Sequence, residues 1–224
     1  MRLFVLGATG RTGSALVALG LARGHEITTL GRSAFGAKAK SLRIIVGNPM
    51  HANDLAAVLP GNDVVLSALG TRGLGATSVL ADGVRATIEA MRCTGVRRLV
   101  IVSSSLLDSN IEWFPRFLGR TLLRHHVHDQ RAMEKQVTQS GLDWTVLRAP
   151  RFSNDPFTGR YIVSAESERT ETSGVPMSRE DVACMMLDTA EQGSYVQQIV
   201  RICGGRLCLS MSCFSFSPST TRAV

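Results

Sequence analysis

FVLGATGRTGSAL, residues Phe4–Leu16, sets three glycines at a spacing of three directly after an aliphatic run and directly before a helix-like stretch. Gly7 lets the chain turn tightly off the strand expected at Arg2–Leu6. Gly10 lets the backbone approach a ligand that a side chain would block. Gly13 lets the following helix, expected over Thr12–Arg23, pack closely on the strand. Such a turn aims the free N–H groups and the partial positive charge of a helix N-terminus at an anion. Thr9, Arg11 and Thr12 add side-chain donors. The stretch therefore predicts a dinucleotide whose pyrophosphate lies across the turn.

Which dinucleotide binds is decided one strand away. An acid at the end of the second strand would hold the ribose 2′-hydroxyl of NAD and repel a 2′-phosphate. This chain reads ITTLGRSAFGAKAK, with Gly31 at the acid position, then Arg32 and Ser33. A guanidinium fork and a hydroxyl suit a phosphate, so NADP(H) is the expected cofactor. Lys38 and Lys40 read as a solvated loop. Two further loops follow strands. VGNPM offers Asn48 to the adenine, and SALGTRG offers Ala68, Leu69 and Gly70 to the ribose and pyrophosphate, with Arg72 beyond them.

Apolar runs alternate with longer amphipathic segments along the chain. Strands are expected at Arg2–Leu6, Glu26–Leu30, Leu42–Val46, Asp63–Ser67, Arg98–Ser103, Asp143–Arg148 and Val196–Ile202. Continuous runs such as LRIIV and RRLVIVS imply burial on both faces of a parallel sheet. The fold class is α/β: a Rossmann-type doubly wound sheet with helices on both faces. In the helix Ala76–Cys93, Leu80, Val84, Ile88 and Met91 recur at helical spacing. Another helix runs from about Phe117 to Gln139 and stops near Gly141, and Ser178 with Asp181 resembles a capping box opening REDVACMMLDTA. One domain over residues 1–203 is expected, followed by a Ser/Thr-rich tail over 204–224 that reads as mobile.

The net charge of +7 suits anionic ligands. The arginines are dispersed and aromatics make up 5%, which argues against a base-stacking platform and hence against nucleic acid. Five scattered cysteines with no C-x-x-C pair point to a reducing, cytoplasmic setting. No apolar run approaches the roughly 18–20 residues that span a bilayer. MRLFVLGATG ends in a glycine turn rather than a signal-peptide cleavage site, so no membrane partner is expected. No exposed heptad demands an oligomer, and a monomer is the default.

GATGRTG, LGTRG, VIVSSS and SGLDWTVLRAP, in that order, resemble the atypical short-chain dehydrogenase/reductases of the NmrA-like group, in particular the flavin reductase/biliverdin reductase B type; DPFTGRY and SREDVACMML extend the likeness. The resemblance implies that Gly10–Gly13 bind the pyrophosphate, that Arg32 binds the 2′-phosphate and that Ala68–Gly70 flank the ribose. It further implies that Ser103 lies beside the nicotinamide, that Ser104 matches the active-site serine, and that Pro150, Arg151 and Phe152 form the loop packed on the nicotinamide. Arg151 stands where the flavin reductase type has a histidine, so the substrate contact differs here.

The Tyr-x-x-x-Lys pair that protonates an alkoxide in ordinary short-chain reductases is absent, since neither Tyr161 nor Tyr195 precedes a lysine at that spacing. A conjugated acceptor such as a flavin or quinone delocalises the incoming charge and needs no such acid, only proximity to NADPH. The competing readings are an NmrA-like sensor of NADP(H) without robust catalysis and an RNA-associated family member. In RHHVHD, His125, His128 and Asp129 have a spacing that metals use, but a solvated helical face is the simpler reading and no metal is expected; His126 or His128 offers a proton donor. Trp113, Phe114 and Phe117 suit either a wall for a planar substrate or core packing.

Overall fold

The computed structural model describes residues 1–33, 36, 39–71, 78–107, 124–165 and 175–205. Among the described residues, ten strands and five helices follow along the chain. They are β1 (Arg2–Leu6), α1 (Arg11–Ala22), β2 (Glu26–Gly31), β3 (Leu42–Val46), α2 (Ala52–Ala56), β4 (Val64–Ser67), α3 (Val79–Thr94) and β5 (Arg98–Ser104). A 3-10 turn at Ser105–Leu107 comes next, then α4 (Arg124–Thr138), β6 (Asp143–Ala149), β7 (Phe152–Ser153), β8 (Tyr161–Ala165), β9 (Met177–Ser178), α5 (Arg179–Glu191) and β10 (Gln198–Gly204).

The main sheet has the order β3-β2-β1-β4-β5-β6-β10-β8. Its first six strands are parallel and follow the Rossmann order, β10 continues in parallel beside β6, and β8 closes the edge antiparallel to β10. β7 and β9 form a separate two-residue pair, Phe152 with Met177 and Ser153 with Ser178.

Burial on both faces follows from the alternation along each strand. Phe4 and Leu6 pack with Leu55, Val84, Ile88, Met91, Met133 and Val137, beneath α2, α3 and α4. Leu3 and Val5 pack with Leu16, Val17, Val182, Met186 and Leu187, beneath α1 and α5. The stripe Leu80, Val84, Ile88 and Met91 is buried as its spacing predicts. α1 stops at Gly24, whose φ of 80° suits the left-handed C-terminal position.

Several boundaries differ from expectation. The last parallel strand starts at Gln198 rather than Val196, because Tyr195 and Gln197 adopt φ near 57° and 56° and turn the chain first. α4 is described from Arg124, and the expected residues before it, with Trp113, Phe114 and Phe117, lie outside the described residues, as do Lys38, Arg72, the start of the Ala76 helix and the tail beyond 205. The antiparallel edge β8 has no counterpart in the sequence reading.

Candidate functional site

The sheet brings the candidate residues to one edge. Gly7 follows β1, Arg32 and Ser33 follow β2, Asn48 follows β3, and Ala68–Gly70 follow β4. Ser103 and Ser104 end β5, and Pro150 follows β6. These are the carboxyl ends of six adjacent parallel strands, where open α/β sheets bind ligands. At about 4.8 Å per strand the row extends about 24 Å, a shape for an elongated ligand.

At its centre the glycine turn leaves no room for side chains. Gly7 has φ 77°, and a Cβ there would lie 2.5 Å from the Ala68 carbonyl oxygen, so the β1 and β4 loops touch through backbone. A Cβ on Gly13 would lie 2.0 Å from the Gly7 oxygen, and one on Gly10 would lie 3.1 Å from it. The Gly10 N–H donates to Gly7 O at 2.8 Å, and the first helical bond runs from Ser14 N–H to Gly10 O.

Gly10 is the N-cap of α1 and offers no side chain to the first turn, which also contains no acid. The opening amides of the helix have no intrahelical acceptor. Their uncompensated dipole end, the cleared backbone and the flanking Thr9, Arg11 and Thr12 fit a diphosphate. An anion there would take the place of the missing side-chain cap.

Arg32 and Ser33 stand exposed just past β2, and Lys40 is exposed before β3. Asn48 holds its own turn: its Oδ1 accepts the Met50 N–H at 3.0 Å, its Nδ2 lies 3.0 Å from His51 Nε2, and its N–H donates to Asp54. Ala68 and Leu69 are half-buried and Gly70 exposed. Ser103 is 3% exposed, and among the described residues its hydroxyl has no hydrogen-bond partner. Ser103 and Ser104 lie in register with Arg148 and Ala149, so the β5 end adjoins Pro150. Beneath that junction the Arg148 guanidinium forks onto the Glu134 carboxylate at 3.1 and 2.7 Å, an ion pair of two buried side chains that ties β6 to α4.

Arg151 is exposed, and Phe152 is half-buried in its pair with Met177. The loop that follows is fastened to the head of α5. Asp181 accepts the N–H groups of Thr158 and Gly159 and the hydroxyls of Thr158 and Ser178, while its own N–H donates to Ser178 Oγ at 3.0 Å. The predicted capping box thus also holds a loop.

The sequence reading missed Arg179. This residue opens α5, donates to Ser153 O at 2.7 Å and to Asn154 Oδ1, and stands 5.8 Å over the Phe152 ring. Burial and then the nearby charge of Arg11 lower its affinity for its proton. A signal was present: a cation at the first position of a helix opposes the dipole, and Arg179 takes that place in α5 as Arg11 does in α1.

Helix α4 resolves the histidine run. Asp129 is buried and accepts the N–H groups of Leu80 and Ala81 at 3.1 and 2.9 Å, capping α3 from another helix. His126 Nδ1 lies 3.0 Å from Thr71 Oγ1 in the β4 loop, and His128 is exposed. Among the described residues no three metal-ligating side chains gather, and no helix is long and apolar enough to cross a membrane.

Residues 7–192 match the family described as NAD(P)H-binding. The chain belongs to the NAD(P)H-binding family. It is similar to an uncharacterised sugar epimerase of Bacillus subtilis, 27% identical over 86% of this chain and 89% of the relative. A solved structure from Burkholderia pseudomallei, of a protein described as exported, is 28% identical with a TM-score of 0.74 and covers 91% of this chain and 99% of that one. A Streptococcus pneumoniae protein described as an NADH-flavin reductase shares the fold, with a TM-score of 0.74 at 24% identity over 92% and 100% of the two chains. The cleared turn and the open amides of α1 fit the kind of ligand that this family binds.

Proposed function

We propose that the protein is an NADPH-dependent reductase of the NmrA-like, flavin reductase type, acting in the cytoplasm on a flavin-like, quinone-like or other conjugated acceptor. Gly7, Thr9, Gly10, Arg11, Thr12 and Gly13 hold the diphosphate. Arg32 and Ser33, both exposed, bind the 2′-phosphate, which favours NADPH over NADH. Asn48, Ala68, Leu69 and Gly70 flank the adenosine half, and Ser103, Ser104, Pro150, Arg151 and Phe152 flank the nicotinamide. When bound, the cofactor supplies a hydride to the acceptor. Ser104 orients the nicotinamide, and the protein otherwise works by holding two flat partners together. Among the described residues Cys93 and Cys184 are free thiols, which supports a reducing compartment.

The observation that carries the choice of acceptor is the position of the tyrosines. Tyr161 donates its hydroxyl to Asp188 at 2.6 Å, and the Tyr195 carbonyl accepts from Thr145 beside the amino end of β10. Neither is available as an acid at the carboxyl edge. An ordinary ketone or a sugar epimerisation is therefore poorly served, whereas a conjugated acceptor suits the site.

The test is NADPH oxidation across flavins, quinones, biliverdin and simple carbonyls. Turnover confined to the conjugated acceptors is expected. Tight NADP(H) binding with no turnover on any of them would overturn the reductase in favour of a redox sensor, a reading that the same lack of an acid favours.

A further inference from the structure

Arg11 and Arg179 come from helices far apart in sequence, yet their guanidinium groups share one neutral acceptor, Asn154 Oδ1, with Arg11 Nη1 at 3.5 Å. Like charges held this close repel, and an anion between them or beside them relieves the repulsion. Among the described residues neither guanidinium pairs with a carboxylate. The acids at the head of α5 are already engaged: Glu180 accepts the Phe157 N–H at 3.0 Å, and Asp181 holds Thr158, Gly159 and Ser178. Burial and the neighbouring charge disfavour protonated Arg179, the sign of a cation lacking its counter-ion.

We propose that Arg11, Arg179 and Asn154 form an oxyanion site bridging the heads of α1 and α5, which takes a phosphate- or carboxylate-type group on the acceptor. This rests on the reductase reading and narrows it to acidic acceptors. The other source of the same chemistry is the coenzyme diphosphate, which Arg11 also borders, so Arg179 is the member of the site that distinguishes the two. Arg179 is tethered elsewhere, to Ser153 and Asn154, and stacks on Phe152 in the stretch next to Pro150 and Arg151. Two guanidinium forks with an aromatic ring beside them suit a flat molecule carrying an acidic arm.

The test compares FMN with riboflavin, which differ by one phosphate, binding to the NADP⁺-loaded full chain and followed by flavin fluorescence. The wild type is expected to bind FMN roughly tenfold or more tightly than riboflavin, and Arg179→Gln to cut that preference to about twofold or less without weakening riboflavin. Arg179→Lys, which keeps the charge and loses the fork, should fall between them. Thermal unfolding of each variant confirms that it is folded. NADP⁺ affinity, titrated separately, should change by no more than about twofold in Arg179→Gln. Loss of NADP⁺ affinity with an unchanged flavin ratio would assign the site to the coenzyme and overturn the acceptor assignment. Equal binding of both flavins by the wild type would overturn it as well. If neither flavin binds, a naphthoquinone with and without a sulfonate group repeats the comparison, and indifference to the sulfonate overturns the site. Failure of the wild type to bind NADP⁺ at all would instead sink the reductase reading.

Discussion

Helices α1 and α5 pack side by side, and their two ends are built on opposite electrostatic terms. At the tails Arg23 and His25 each meet an acid. Arg23 donates to Asp188 and Glu191 at 2.7 and 3.0 Å, His25 Nε2 lies 2.6 Å from Glu191, and Tyr161 donates to Asp188. At the heads, among the described residues, Arg11 and Arg179 meet neutral oxygens and no carboxylate, and α1 has no side-chain cap. An end whose charges are matched within the chain is structural; an end left positive suits an anionic ligand.

The most severe way to break the contrast is Gly13→Val. Its Cβ would fall 2.0 Å from the Gly7 oxygen and 2.6 Å from its carbonyl carbon, so backbone must move. We expect a loss of about 3 kcal/mol or more in denaturant unfolding and no measurable NADP⁺ binding by titration. Retained binding at full affinity would show that the turn is not the site. Next in size is Arg32→Asp, which places a carboxylate where the 2′-phosphate is expected. It should weaken NADPH by roughly tenfold to a hundredfold and spare NADH. Equal losses for both coenzymes would remove the basis for NADPH preference.

At the tails the expected pattern reverses. Arg23→Leu should cost about 1 kcal/mol, the scale of a partly exposed ion-pair network, and leave NADP⁺ affinity unchanged. A coenzyme defect in this variant would erase the distinction between the two ends. The tail network also has an alkaline limit. Burial, followed by the hydrogen bond to Asp188, raises the Tyr161 phenol above its ordinary value. Its contribution is therefore complete below pH 10 or so and is lost as pH rises toward the folded value. Tyr161→Phe should lower stability at neutral pH and flatten the alkaline limb of a Tm profile.

The heads and tails were unequally legible in the sequence. The glycine turn could be read because its three constraints lie within seven residues. The parallel strands could be read because burial on both faces leaves continuous apolar runs. The Ser178–Asp181 cap is equally local. Arg179 escaped because its partners Asn154 and Arg11 sit 25 and 168 positions back, and only the packing of α1 on α5 joins them. Asp129 could be mistaken for a metal ligand beside His125 and His128 because its real partners, Leu80 and Ala81, belong to another helix. β8 pairs only with a strand about forty residues onward, so its short run carried no local mark of an edge.

The smallest effect sharpens the rule at a third place, the amino end of the sheet. Asp63 accepts the Arg2 N–H at 2.7 Å and its guanidinium at 3.2 Å, which together hold the carboxyl below its ordinary value. A depressed folded value means that the contact is complete above the unfolded carboxylate pKa and is lost as pH falls through the folded one. The side chains are 57% and 38% exposed, so solvent screens most of the gain. Asp63→Asn should therefore lower Tm at neutral pH by at most about 2 °C, with the gap to wild type closing below about pH 4. A gap that stays constant down to pH 3 would mean that the charge of Asp63 contributes nothing, and that matched pairs on this surface do not stabilise as the tail network is expected to.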